Sequence, residues 1–364
     1  MVTFTAIQKQ ALQLHATSAL LTGHHAAWAS LRTGYTTHYE PVFVAHLCSS
    51  LSHLATPWRA ELRQIDPSAR LSISSVFTHQ RPYISYAKGG IPQQCELSDV
   101  MIALIDRTDS SNIRSRCIFV QAKRDDYPKV TLAQNNDLVQ LHLYTNRPPF
   151  DVKRKDAPKS ISFPAIASDK ALNYGITPPT DIKATEATAA WGHDRWKLAN
   201  NLNGYAGATI TATIPLQDLL VDFLEGYAGF DFVLSSPGDN WSVLDRAGQK
   251  WSALINFILQ DAVKAKSPRY ASGFWSWRSD GGQPLAFAMF DYHGMPYVTV
   301  NEILPSSAPH LPTYGMTLLN QFQPNIRSHW EPPHNDPPRD DGERDDGEWG
   351  GMSVVLMEMS VRND

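Results

Sequence analysis

The chain has 364 residues, of which 42% are hydrophobic and 19% are charged, and this balance excludes an intrinsically disordered polypeptide. Its formal net charge is −4, so it lacks the basic footprint of most nucleic-acid binders, although basic residues gather between positions 107 and 129. No apolar run approaches the roughly 20 residues that span a bilayer, so we expect no membrane segment. Residues Met1 to Leu21 mix polar and apolar side chains and lack a basic start followed by an apolar block, so we expect no signal peptide.

The first 60 or so residues predict helices. Apolar residues between Leu12 and Leu21 indicate one helix, which Gly23, His24 and His25 are expected to break. A second helix is predicted over about Pro41 to Leu54. Pro41 suits its first turn, because the amide hydrogen that proline lacks would have no helical partner there.

From Leu71 onward the pattern predicts strands, at LSISSVF (71–77) and PYISYA (82–87). Two strongly apolar runs follow, Leu97 to Ile105 and Cys117 to Lys123. They predict adjacent central strands, joined by a loop and buried on both faces. A helix is then predicted over Thr131 to Tyr144. This order of elements indicates an α/β layered arrangement.

The second half of the chain predicts a separate unit. An irregular, Pro-rich connection over 151–213 precedes predicted helices at Leu216 to Leu224 and Trp251 to Ala262. Strands are predicted at Gly273 to Trp277, Leu285 to Phe290, Tyr297 to Val300 and Ser353 to Met359. The stretch rich in Pro, Asp and Gly at about 332–351 predicts a loop. We therefore divide the chain into a core, 1–165, and an accessory α/β region, 166–364.

Polar side chains stand at the ends of the two apolar strands. Alternation places Gln121 and Lys123 on one face, and Asp99 lies at the start of the preceding strand. A buried lysine without a partner is costly, so a carboxylate or a phosphate is expected beside Lys123. Glu96, three residues before Asp99, is expected to point to the opposite face.

Asp99, followed after a loop by the sequence FVQAKR at 119–124, resembles the motif of the PD-(D/E)xK, or restriction-endonuclease-like, nucleases. It is most similar to the Mrr-like branch, in which glutamine replaces the usual acid, and similar pairs occur in anti-phage nuclease effectors. The resemblance covers roughly residues 39–150. It implies an αβββαβ core with a central mixed sheet flanked by helices, which makes residues 1–165 the nuclease-like core.

The resemblance implies a metal-dependent nuclease that hydrolyses phosphodiester bonds with Mg²⁺, or with Mn²⁺ in its place. Asp99 would be the main metal ligand, and Glu40, matched by position only, would be a second. Gln121 would offer a neutral carbonyl oxygen to the metal. Lys123 would lie beside the attacking water or stabilise charge on the scissile phosphate.

Nucleic acid is the implied partner, DNA rather than RNA, with Arg124 and Gln140 as candidate substrate contacts. Nucleases that cut both strands commonly act as dimers, which makes a homo-oligomer a further expectation, and a role against foreign DNA would involve further partner proteins. Two alternatives stay open: an inactive nuclease-fold module that binds nucleic acid or proteins, and an effector nuclease switched on by a small signal or a partner. Three scattered cysteines predict reduced thiols in a cytoplasmic protein.

Overall fold

The fold is that of a computed structural model, which describes residues 3–32, 40–76, 82–109, 111–153, 157–163, 171–178, 185–199, 209–236, 239–264, 289–290 and 352–361. The helices are α1 (Ala6–Arg32), α2 (Glu40–Ser52), α3 (Ala55–Ile65), α4 (Asn135–Asn146), α5 (Thr185–Trp191), α6 (Leu216–Glu225), α7 (Ser242–Arg246) and α8 (Lys250–Lys264). The strands are β1 (Ala69–Val76), β2 (Tyr83–Lys88), β3 (Ile91–Glu96), β4 (Val100–Arg107), β5 (Arg114–Arg124), β6 (Lys129–Thr131), β7 (Asp151–Val152), β8 (Leu172–Thr177), β9 (Lys197–Ala199), β10 (Thr209–Thr211), β11 (Ile214–Pro215), β12 (Phe230–Asp231), β13 (Met289–Phe290) and β14 (Ser353–Val361).

Within the described residues, nine strands form one central mixed sheet in the order β11-β9-β8-β5-β4-β14-β1-β13, with β12 also paired to β5. The pairs β4–β14 and β5–β8 are parallel, whereas β4–β5 and β1–β14 are antiparallel. Two small sheets lie outside it, one of β3-β2-β7 and one of β10-β6. The fold class is therefore mixed α/β, as expected.

Helices cover both faces of the central sheet. Along β4 and β5, Ile102 and Ile118 contribute to one apolar core, which also contains side chains of α1, α2, α3 and α6. Their neighbours Met101 and Phe119 contribute to a second core, with side chains of α4 and α8. Successive strand residues point to opposite faces, so burial on both faces explains why these strands carry continuous apolar runs.

The predicted pairing of the two apolar runs is confirmed, because β4 and β5 are antiparallel neighbours in which Val100 lies opposite Val120. The helices predicted near 41–54, 216–224 and 251–262 are present as α2, α6 and α8, and the strand predicted at 353–359 is β14. The helix predicted from Thr131 starts later, at Asn135, since residues 129–131 form β6 and pair with β10.

The predicted helix break at Gly23 does not occur, because α1 runs continuously from Ala6 to Arg32. A Cβ atom on Gly23 would lie 1.8 Å from the Oγ atom of Ser50 in α2 and 3.0 Å from the carbonyl oxygen of His46. Glycine at this position therefore lets two helices approach closely, which offsets its low helix propensity of about 1 kcal/mol.

The central sheet takes strands from both sides of the boundary predicted at residue 165. β8 pairs with β5, and β14 lies between β4 and β1, so the boundary does not separate two sheets. The strands predicted over 273–277 and 297–300 and the loop predicted at 332–351 lie outside the described residues. Cys48, Cys95 and Cys117 are buried free thiols. No helix in the described part of the chain is long and apolar enough to cross a membrane.

Candidate active site at the junction of strands β4 and β5

The antiparallel register brings the start of β4 beside the end of β5. Val100 lies opposite Val120, and the amide of Asp99 donates to the carbonyl oxygen of Val120 over 3.3 Å. Asp99 therefore lies next to Gln121 although 22 positions separate them in the sequence. Lys123 follows on the same face of β5, as the alternation predicts.

Asp99 is anchored through one of its two carboxylate oxygens. Its Oδ2 atom accepts a hydrogen bond from Nε2 of Gln121 over 2.5 Å and another from the amide of Ala122 over 2.7 Å. Its Oδ1 atom accepts no hydrogen bond from the described residues, and 9% of the residue's surface is exposed. The carboxylate is thus held in a fixed orientation with one oxygen left for a ligand.

A chain of amides fixes which end of Gln121 faces Asp99. Nε2 of Gln140 donates to Oε1 of Gln121 over 2.5 Å and to the carbonyl oxygen of Glu96 over 3.0 Å. A backbone carbonyl only accepts, so it orients the Gln140 amide, and the Gln140 amide in turn orients Gln121. The Gln121 amino group therefore points at Asp99.

Two predicted roles differ from this arrangement. The oxygen of Gln121, expected to face a metal, instead accepts a hydrogen bond from Gln140. Gln140, a candidate substrate contact, is only 5% exposed and is bonded within the protein. Its side chain reaches inward because α4 packs against β3, which carries the carbonyl of Glu96. We therefore assign Gln140 to the support of Gln121.

Lys123 has a carboxylate beside it, as expected, but the partner is Asp137, which was not singled out in the sequence. Its Nζ atom lies 3.0 Å from Oδ1 of Asp137, in the first turn of α4, and its side chain is 15% exposed. Burial lowers the pKa of Lys123, but the surrounding carboxylates, led by Glu40, outweigh burial and hold that pKa above its usual value. Lys123 is therefore a charged ammonium. Asp137 could have been recognised from its position, because it is an acidic residue in the first turn of the helix that follows the motif.

Glu40, the first residue of α2, lies close enough to Lys123, Arg124 and Asp137 for their charges to act on its carboxyl group. Burial raises the pKa of its carboxyl, while the charges of Lys123 and Arg124 lower it. The guanidinium of Arg124 lies over the ring of Phe43, 5.8 Å from its centroid, so Arg124 is packed beside α2. The structure thus brings Glu40 and Arg124 to the same region as Lys123.

Glu96 also belongs to the cluster, contrary to the expectation that it points away. β3 ends at Glu96 and β4 begins only at Val100, so the alternation of a single strand does not connect Glu96 with Asp99. Burial and the nearby charge of Glu40 raise the pKa of the Glu96 carboxyl to about 7. The chain bends between the two strands, and this break was not predicted from the sequence.

The carboxyl group of Asp99 lies near two other carboxyl groups, those of Glu40 and Glu96. Burial raises the pKa of Asp99 well above its usual range, and the charges of Glu40 and Glu96 raise it further, with Lys123 acting in the opposite direction. Like charges that cannot all ionise at low cost favour a bound proton or a bound cation. The cluster can therefore hold a proton or attract a positively charged ligand.

The carboxylate oxygens of this cluster are ligands of the kind that magnesium prefers. Mg²⁺ prefers oxygen ligands and is held in proteins by one or two carboxylates together with waters and substrate phosphate. Asp99 has an oxygen left for such a ligand, and Glu40 supplies a second carboxylate to the same electrostatic cluster. No group of three or more His, Cys, Asp or Glu side chains in the described ranges is arranged to hold a metal by itself. A metal at this site would therefore depend on water and substrate for most of its ligands.

The comparisons with known proteins returned no match: none among the family models, none among curated proteins and none among solved structures.

Proposed function

We propose that this chain is a metal-dependent nuclease that hydrolyses phosphodiester bonds of DNA, with its active site at Asp99, Lys123 and Glu40. The observation that carries the proposal is the juxtaposition of an anchored carboxylate and a charged, partly buried lysine at adjacent ends of two central strands. Hydrolysis of a phosphodiester needs a positioned water and compensation for negative charge in the transition state. These residues would compensate the negative charge of the transition state, and they can orient the attacking water.

The order of elements around the site also supports the proposal. A helix (α3), the strands β1, β4 and β5, a helix (α4) and the parallel strand β8 follow one another in the αβββαβ order of restriction-endonuclease-like cores, with β2, β3, β6 and β7 inserted. One departure is that β14 separates β1 from β4 within the sheet. The departure lies on the side of β4 away from β5, so it leaves the pairing of Asp99 with Gln121 intact.

Each residue has a distinct task in this proposal. Asp99 and Glu40 would hold Mg²⁺, which supplies Lewis-acid charge to the scissile phosphate when it is bound. Lys123 would place its ammonium against a non-bridging phosphate oxygen, and Asp137 would keep that ammonium in position. Gln121 and the amide of Ala122 would orient Asp99.

The test is cleavage of plasmid, single-stranded DNA and RNA by the full chain with Mg²⁺ and with EDTA. We expect cleavage of DNA in Mg²⁺ only, and a loss of about 100-fold or more in rate for Asp99→Asn and for Lys123→Met. Asp106→Asn is the matched control for Asp99, because Asp106 is a buried aspartate at the opposite end of β4. Lys129→Met is the control for Lys123.

Wild-type levels of cleavage in Asp99→Asn or Lys123→Met, with the variants folded, would contradict the proposed site. A loss in the two controls equal to that in the site variants would indicate a general effect on folding instead.

A binding module without catalysis is the second candidate, and one observation favours it. The oxygen of Gln121 accepts a hydrogen bond from Gln140, so the position that carries an acid in most PD-(D/E)xK nucleases gives no charged ligand here and no oxygen directed at Asp99. DNA binding by the wild-type chain without cleavage in Mg²⁺ or Mn²⁺ would support this candidate and exclude the nuclease.

A further inference from the structure

A second cluster of charged side chains lies at the opposite end of the central sheet from Asp99. The strands β1, β14 and β4 are neighbours there, and their register aligns Arg70 with Ser360 and Ser360 with Arg107. Residues aligned across a sheet share a face, and neighbouring strands are about 4.8 Å apart. Two arginines thus flank a serine on one face, with main chains roughly 10 Å apart.

Two further arginines reach the same place from α3. Arg59 and Arg63 are one helical turn apart, and their Nε atoms donate to the carbonyl oxygens of Leu71 (3.1 Å) and Ala69 (3.4 Å) in β1. These bonds fix the direction of both side chains. The terminal amino groups of Arg63 make no hydrogen bond with the described residues.

The four arginines line a cavity of about 480 Å³. Its other lining residues include Glu358, Leu71 and Met359, and Glu358 is the one acidic side chain among the described lining residues. The Nε atom of Arg107 lies 4.0 Å from Oε1 of Glu358, at the limit of an ion pair, whereas the side chain of Arg70 has no ion pair or hydrogen bond within the described ranges. Arg63, Arg70 and Arg107 together meet one acidic side chain, that of Glu358, so positive charge exceeds negative charge among the described lining residues.

This excess of positive charge is unusual in a chain whose formal net charge is −4. Arginines held close together repel one another, so the arrangement lowers stability unless an anion compensates it. Guanidinium groups match phosphate oxygens in geometry and form paired hydrogen bonds with them. The volume lies within the range of about 300 to 1,000 Å³ that is typical of small-molecule sites.

We propose that this cavity is a binding site for a small ligand that carries two or more phosphate groups. The arginines converge from three elements around a concave volume, which suits a compact ligand better than the flat basic stripe that follows a nucleic-acid backbone. Asp99 and Arg107 stand at opposite ends of β4, roughly 25 Å apart at about 3.3 Å per residue. The site is therefore separate from the proposed active site and does not rest on its activity.

Isothermal titration calorimetry of the full chain tests the proposal, with inorganic triphosphate and ATP as probes and EDTA present to exclude metal effects. We expect one molecule bound per chain, with the dissociation constant raised about tenfold or more in Arg63→Ala and in Arg70→Ala. Arg70→Lys should bind more weakly than wild type but better than Arg70→Ala, because it keeps the charge and loses the paired donors. Arg246→Ala, an exposed arginine in α7, is the matched control.

Three outcomes would overturn the proposal. The first is the absence of binding of both probes at millimolar concentration by folded wild-type protein. The second is an equal loss of affinity in Arg246→Ala, which would indicate attraction by general charge. The third is binding of a DNA duplex alone, weakened by Arg70→Ala, which would assign the arginines to a nucleic-acid interface. Thermal unfolding of each variant verifies that Arg63→Ala and Arg70→Ala keep the fold.

Discussion

Replacement of Gln140 by leucine tests whether the amide chain beside Asp99 stabilises the fold. Gln140→Leu keeps a side chain of similar length in a buried position, but it removes the donor that serves both Oε1 of Gln121 and the carbonyl oxygen of Glu96. A buried polar group left without its partner costs about 1 to 3 kcal/mol. The substitution leaves two such oxygen atoms without a donor, and the gain from burying a leucine offsets part of their combined cost. We therefore expect a net loss of about 2 to 4 kcal/mol in the free energy of unfolding.

Urea denaturation, followed by tryptophan fluorescence and by circular dichroism, measures this loss, provided that the two transitions coincide. Gln134→Leu is the matched control, because Gln134 is exposed just before α4 and its side chain makes no capping hydrogen bond. A surface substitution of this kind changes stability by less than about 0.5 kcal/mol. If Gln140→Leu is as stable as Gln134→Leu, the hydrogen bonds of Gln140 do not hold Gln121 in its orientation.

Three further predictions concern stability. The pKa of Glu96 is raised to about 7 from 4.5, so the folded state holds this proton more tightly than the unfolded state, and the stability it contributes is lost as pH rises from 4.5 to about 7. Glu96→Gln should therefore flatten this part of the pH profile of the urea midpoint; an unchanged profile would contradict the assignment. Gly175→Ala should lower the free energy of unfolding by about 1 to 3 kcal/mol, because the added Cβ would lie 2.6 Å from Cγ1 of Val120; a neutral result would show that β5 and β8 can separate. Trp58→Phe should cost about 2 kcal/mol, since the Nε1 atom of Trp58 donates to the carbonyl oxygen of Leu12 and ties α3 to α1; an unchanged denaturation midpoint would argue against this tie.

The pairing of β4 with β5 could be predicted from the sequence because the information is local. Two apolar runs separated by a short polar loop favour an antiparallel pair, and this pair brings Asp99, Gln121 and Lys123 together. The direction of the Gln121 amide could not be predicted in the same way. It depends on Gln140 and on the carbonyl of Glu96, which reach it from another helix and another strand.

The other features that could not be predicted depend mostly on pairing between strands that are far apart in the sequence. The sequence predicted β14 as a strand, but its place between β1 and β4 follows from strand pairing that an apolar pattern does not encode. The arginine cavity depends on the same pairing, since Arg70 and Arg107 become neighbours only through Ser360. Glu96 was misplaced because the turn before β4 interrupts the strand, and no residue type marks that turn strongly.

The position of β14 also has a consequence for biosynthesis. A nascent chain that has not yet reached residue 353 exposes two unpaired edges, on β1 and on β4, at the centre of its future sheet. Such edges invite misassembly with other chains, and contacts between distant segments form slowly. Pairing of β14 with β1 and β4 therefore closes both edges at once, and it can occur only after this strand has been synthesised.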